Sequence, residues 1–174
     1  MNKKTSLTNR LILGSIFAIL LVAIDQFTKY LATTKLKGKG PFVLIDGIFQ
    51  LTYSENRGAA FGTMQNQRIY LIISTTIVIA LIICFYIKLP DTKKYFYLKL
   101  ICIFVIAGAL GNYIDRLRLH YVVDLFDFTL IHFPIFNMAD SYITVSSIVL
   151  IILYIFYYKE EDFAFLSRKK KEKK

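Results

Sequence analysis

Four stretches of this chain run for a membrane thickness with almost no charge, and no other feature limits the fold so strongly. A spanning helix needs roughly 20 mostly apolar residues, because a rise of about 1.5 Å each must cover a hydrocarbon core of about 30 Å. Leu11 to Ile24 carries no charge, and its pattern continues past Asp25 to about Thr33. Ile69 to Ile87 and Ser141 to Tyr158 are uncharged, and Tyr95 to Ile114 contains Lys99 near its start. A soluble core helix of that length would show a charged face. With 56% hydrophobic residues and a mean hydropathy of +0.51, much of the surface must meet lipid. The expected architecture is membrane all-α: four transmembrane helices, at about 11–33, 68–88, 95–117 and 140–158, with a small β-sheet between the first two.

The first segment follows Lys3, Lys4 and Arg10, as a secretory leader would. No small-x-small cleavage pattern comes after it, and Asp25 and Lys29 interrupt its end, so it is expected to stay as a helix. The net charge of +10 raises the question of nucleic acid, but six of the basic residues lie in Arg168 to Lys174 and the rest sit at helix ends. That distribution suits anionic lipid at a membrane surface and not a nucleic-acid groove. Four spans put both termini on one side. With the termini cytoplasmic, 14 basic residues fall inside and 8 outside, the usual bias. Cys84 and Cys102 read as packing residues within spans, not as a disulfide or metal pair. His120 and His132 have no partners at metal-ligand spacing, so no metal or cofactor is expected.

Between the first two spans, Phe42–Ile45 and Ile48–Tyr53 flank Asp46-Gly47, a hairpin turn signal. A β-rich outer segment is expected at about 40–63, and a basic, disordered tail at about 160–174. No repeat or second domain is visible, which makes residues 1–174 one membrane-embedded unit.

Under this topology Asp25, Asp46, Glu55, Asp115, Asp124, Asp127 and Asp140 all belong to the outer half, at or beside helix ends. Charge there is costly unless it has water, a partner or a job. Asp140 stands at the start of the last span, and Asp124 in the short connection before it, expected to be a loop. Two carboxylates brought close cannot both ionise cheaply, so a pair can share a proton and act as base and acid. Spacing alone leaves a second reading open: Asp140 favours its helix dipole and Asp124 is a loop acid. Asn112, Asp115 and Arg116 share a helix face, and Arg116 suits either a forked bond to a substrate carbonyl or a structural pair with a carboxylate. Asp25 and Lys29 are i, i+4 partners suited to a structural ion pair. Asn56-Arg57-Gly58-Ala59-Ala60-Phe61-Gly62 reads as a turn with close backbone approach.

Taken in order, five segments resemble the lipoprotein signal peptidase family (signal peptidase II): Asp25-Gln26-Phe27-Thr28-Lys29, Asn56 to Phe61, Gly111-Asn112-Tyr113-Ile114-Asp115-Arg116, Val122-Val123-Asp124, and Phe136-Asn137-Met138-Ala139-Asp140. Leu125 departs from the Phe often found after the first catalytic Asp. The resemblance implies an aspartyl endopeptidase that cuts a prolipoprotein before its diacylglyceryl-cysteine. It implies a dyad of Asp124 and Asp140, oriented with the substrate by Asn56, Asn112, Arg116 and Asn137. Asp25, Lys29 and Asp115 would form the supporting polar network. It further implies the plasma membrane of a bacterium, a site near the outer leaflet, contact with membrane lipid, sensitivity to globomycin and a monomer. The readings of another class are a proton-coupled carrier, whose acids would lie near mid-membrane beside broken helices, and a non-catalytic membrane adapter.

Overall fold

The computed structural model describes residues 6–58 and 64–166. Four helices are long and apolar enough to cross a membrane: α1 (Leu7–Lys35), α2 (Arg68–Lys88), α3 (Phe96–Arg118) and α4 (Met138–Phe156). Strands β1 (Phe42–Ile45), β2 (Phe49–Asn56) and β3 (Val122–Asp127) form one antiparallel sheet in that order.

Helix α3 is the central element, touching α1, α2 and α4, and half of its most apolar stretch is buried. Small residues make this possible. A Cβ built on Gly108 would lie 2.5 Å from the Ala139 carbonyl oxygen, and one on Gly111 would collide with the Asp25 carboxylate. The glycines therefore let α4 and α1 approach α3 to backbone contact.

Helix ends are tied by side chains. Ser6 Oγ accepts from the Asn9 N–H at the start of α1. Arg10 lies over the Tyr86 ring and donates to the carbonyls of Leu89 (2.7 Å), Ile87 (2.9 Å) and Tyr86 (3.3 Å), satisfying the C-terminus of α2. Asn137 caps α4 in a capping box: its side chain accepts from the Asp140 N–H, and the Asp140 carboxylate accepts from the Asn137 N–H.

The sheet extends further than local sequence suggested. The hairpin forms with Gly47 at φ +65°, but Ile45 pairs with Phe49, so three residues make the turn. Asp124 is not in a loop. It lies in β3, where Ser54 pairs with Asp124 and Asn56 with Val122, because Val122, Val123 and Leu125 are buried and pull the segment down as a strand.

The stretch expected to be disordered from residue 160 begins as a 3-10 helix, Glu160–Leu166. Phe163 and Phe165 pack on the core around Tyr95 and Tyr158, Tyr95 Oη donates to the Asp162 carbonyl (2.7 Å), and Lys94 pairs with the Asp162 carboxylate. Charge composition hid these aromatic anchors. The basic run beyond Leu166, and Ala59 to Gly62, lie outside the described residues. Cys102 is a core residue as expected, whereas Cys84 is exposed on α2.

Gly108→Ala is expected to lower stability by about 1–3 kcal/mol, because backbone must shift to admit the methyl. Gly40→Ala, where nothing lies within 4 Å, is the neutral comparison. Thermal unfolding in detergent measures both.

Candidate functional site

A polar layer closes the bundle where α3 ends. Lys29 reaches it from α1 with its side chain only 3% exposed. Its ammonium group contacts Asp25 Oδ2 (2.9 Å), Asp115 Oδ2 (3.0 Å) and Asn112 Oδ1 (2.9 Å). Three acceptors for three N–H donors leave no proton unsatisfied. The carboxylates are shared in turn. Asp25 Oδ1 accepts from the Ala139 N–H in the first turn of α4 (2.9 Å), and Asp115 Oδ2 from the Val123 N–H in β3 (3.2 Å). Gln26 Nε2 bridges Asp25, Asp115 and the Gly111 carbonyl. Four elements are joined through one buried ion cluster, as the i, i+4 pair Asp25–Lys29 anticipated.

Above it stands the acid pair. Because Lys29 takes the Asn112 carbonyl oxygen, the Asn112 NH2 group must face the other way, and it donates to Asp140 Oδ1 (2.7 Å). Because the Asn137 carbonyl oxygen is used by the Asp140 N–H (3.0 Å), its NH2 group donates to Asp124 Oδ1 (2.6 Å) and to Asn112 Oδ1 (3.1 Å). Asn56, at the end of β2, donates to the other Asp124 oxygen (3.1 Å) and accepts from the Gly58 N–H (2.9 Å). Asp124 and Asp140, from different elements, thus hang on two linked amides whose orientations are fixed from below and from the helix cap. Asp140 caps α4, and its other oxygen accepts from Asn112 on the side of Asp124.

Burial pushes the Asp124 carboxyl up to about 7, with the nearby Asp140 charge adding to the rise and the Asn137 and Asn56 hydrogen bonds opposing it. A carboxyl with such a pKa can exchange a proton near neutrality.

Arg116 is the outlier of the predicted set. It is half-buried, and its hydrogen bond goes to the Gly58 carbonyl (3.1 Å) and not to a carboxylate. It therefore fastens the end of the β2 loop over the site. Two residues were given no role from sequence. Gln26 adjoins Asp25 in the first motif but carries no charge to single it out. Arg68 opens α2 and donates to the Arg116 (2.7 Å) and Leu117 (3.1 Å) carbonyls, capping α3 from a neighbouring helix.

The family model for signal peptidase (SPase) II matches residues 17–156, a stretch that holds every residue of this cluster. The chain belongs to the signal peptidase II family. A lipoprotein signal peptidase of Caldanaerobacter subterraneus subsp. tengcongensis is 47% identical over 144 residues, covering 80% of this chain and 96% of the relative. One from Brevibacillus brevis is 44% identical over 137 residues, covering 79% and 91%. Among solved structures, a bacterial membrane enzyme superposes with a TM-score of 0.74 at 31% identity, covering 100% of this chain and 98% of its own. Membership makes this protein a multi-pass membrane peptidase, and the four spans accord with it.

Lys29→Met is expected to cost about 3–5 kcal/mol of stability, since it leaves Asp25 and Asp115 buried without their cation. Unfolding in detergent would register this as a large drop in melting temperature. Asp124 also makes a pH prediction. Its pKa in the fold, about 7, exceeds the ordinary 3.8, so the folded state holds the proton more tightly. The stability of the native protein then falls as pH rises from about 4 to about 7, and the loss levels off above 7. Asp124→Asn lacks this proton, so its melting temperature relative to the native chain should climb across that window, whatever its constant offset. A flat difference from pH 4 to pH 8 would remove Asp124 as the displaced group.

Proposed function

We propose that this chain is an aspartyl endopeptidase that removes the signal peptide of a diacylglyceryl-modified prolipoprotein, cutting immediately before the lipidated cysteine. The supporting observation is the pairing of Asp124 and Asp140 on the Asn112–Asn137 amides. Two carboxyls so placed cannot both ionise cheaply, so the pair can share one proton. The ionised carboxylate takes a proton from water, the water oxygen attacks the peptide carbonyl carbon, and the protonated partner donates to the carbonyl oxygen. The tetrahedral intermediate collapses as the pair returns a proton to the leaving amine of the cysteine. Asn112 and Asn137 orient the dyad. Asn56 and Arg116, at the rim around Gly58, orient the substrate backbone, while Asp25, Lys29 and Asp115 hold the platform rigid. The chemistry calls for no metal or cofactor.

The substrate class follows from family and location together. The curated relatives are lipoprotein signal peptidases. A substrate with a spanning signal helix and acyl chains, each buried methylene contributing about 0.8 kcal/mol, stays within the bilayer. An enzyme for it keeps its acids at the membrane surface, where α3 ends and α4 begins. In the topology that fits the charge bias, the termini are cytoplasmic and the acids face the outer leaflet. Globomycin is the expected inhibitor, and a monomer the expected working unit.

Asp124→Asn and Asp140→Asn should each reduce cleavage by on the order of 10³-fold or more, with the protein still inserted in the membrane and melting cooperatively. The assay uses purified protein with lipidated and unlipidated precursors, with and without globomycin. Cleavage of the lipidated form alone, lost with the antibiotic, supports the reading. Native-rate cleavage by either variant takes that acid out of the mechanism.

A further inference from the structure

One large apolar surface belongs to none of the four spans. All four side chains of β1, Phe42 to Ile45, are exposed, and so is Ile48 in the turn that follows. Beside them the chain leaves β3 and makes a 3-10 turn at Thr129–Ile131, which places Leu130 and Ile131 outward at 65% and 68% exposure, with Phe133 also open. Leu130 N–H points to the Ile48 carbonyl (3.5 Å), joining the two parts into one patch. No Asp, Glu, Lys or Arg occurs from Phe128 to Ala139. In water such a patch is a liability for an edge strand and a loop alike.

The loop is also held stiffly in its outward position. Phe128 stacks on Phe49 (centroids 4.5 Å apart) and on Phe136 (5.9 Å, interplanar angle 7°), and Phe133 meets Phe136 edge-on. His132 takes a left-handed conformation, φ +49°, and its ring turns back on the Thr129 carbonyl (2.8 Å), which leaves the apolar tip clear. Aromatic packing of this kind supports a loop that projects its small end, Leu130-Ile131, into another medium.

Location identifies the medium. The loop departs at Asp127 and returns at Phe136, which bridges to Phe126 and directly precedes the cap of α4. A three- or four-residue excursion from that point reaches at most roughly 10–13 Å, comparable with the headgroup layer that begins where a span ends. The β1 edge lies two strand spacings from β3, roughly 10 Å to the side. The patch therefore lies at the end of the bundle where α4 begins, within a loop's reach of the span ends.

We propose that the Thr129–Phe133 turn and the β1 edge form an interfacial wedge that inserts into the lipid boundary at the site end of the bundle, a membrane contact additional to the four spans. Its partner is the bilayer surface, and a second copy of the chain is the competing occupant that the test separates.

The chain contains no Trp, so a single introduced Trp reports its own surroundings. Full-length Ile131→Trp is reconstituted in phosphatidylcholine–phosphatidylglycerol vesicles, with Leu130→Trp as an independent second position. Ile151→Trp, on the exposed face of α4, is the deep reference. The wedge predicts blue-shifted emission and iodide quenching several-fold weaker than for free tryptophan. It also predicts stronger quenching by lipids brominated near the glycerol than by lipids brominated near the methyl end, the reverse of the Ile151→Trp order. Full iodide access without quenching by brominated lipid, at both positions, would place the tip in water and overturn the proposal. Protection from iodide without quenching by brominated lipid would show protein covering the patch and overturn it equally.

Discussion

The Lys29 ammonium group governs the arrangement of everything above it. A buried cation must find acceptors for all its protons, and here these are one oxygen each from Asp25, Asp115 and Asn112. The two carboxylates use their remaining capacity on the backbone of α4 and β3, which pins those elements to α1 and α3. The amide of Asn112 loses its rotational choice, and that choice decides what Asp140 meets. One positive charge thus sets the polarity of hydrogen bonds two side chains away.

Backbone proximity makes the cluster possible. Gly111 leaves room for the Asp25 carboxylate and Gly108 for the Ala139 carbonyl, so polar groups from three helices meet without intervening side chains. The sheet then adds what helices alone could not: pairing Asn56 with Val122 and Ser54 with Asp124 delivers Asn56 and Asp124 from distant parts of the chain to one strand end. Arg68 and Arg116 fasten the surrounding carbonyls.

The spans were legible because uncharged runs of that length have few other destinations, and the Asp46-Gly47 turn because positive φ there selects glycine. The acids were legible as a group, since seven of them fall at or beside helix ends in the outer half of the expected topology. Strand β3 was not: Val122 to Asp127 finds its partner some seventy residues earlier, and nothing local distinguishes it from a loop. The uses of Gln26 and Arg68 were hidden for the same reason, as each serves groups on another helix. The docked Phe163 and Phe165 were masked by the charges around them, and the hydrogen bond of Arg116 to Gly58 depends on a loop path that spacing cannot specify.

The capping box at the start of α4 combines with the amide relay to restrict what can stand at position 140. One oxygen there receives the Asn137 N–H and the other the Asn112 NH2, so a donor meets each oxygen and any proton on the carboxyl must point away from both. Position 124 obeys the same grammar, facing the NH2 groups of Asn137 and Asn56. An asparagine, so close in shape, would set donor against donor at either place. The scaffold therefore reads hydrogen-bond direction at both acids, and an amide standing in for either keeps the shape and one contact while forfeiting the other.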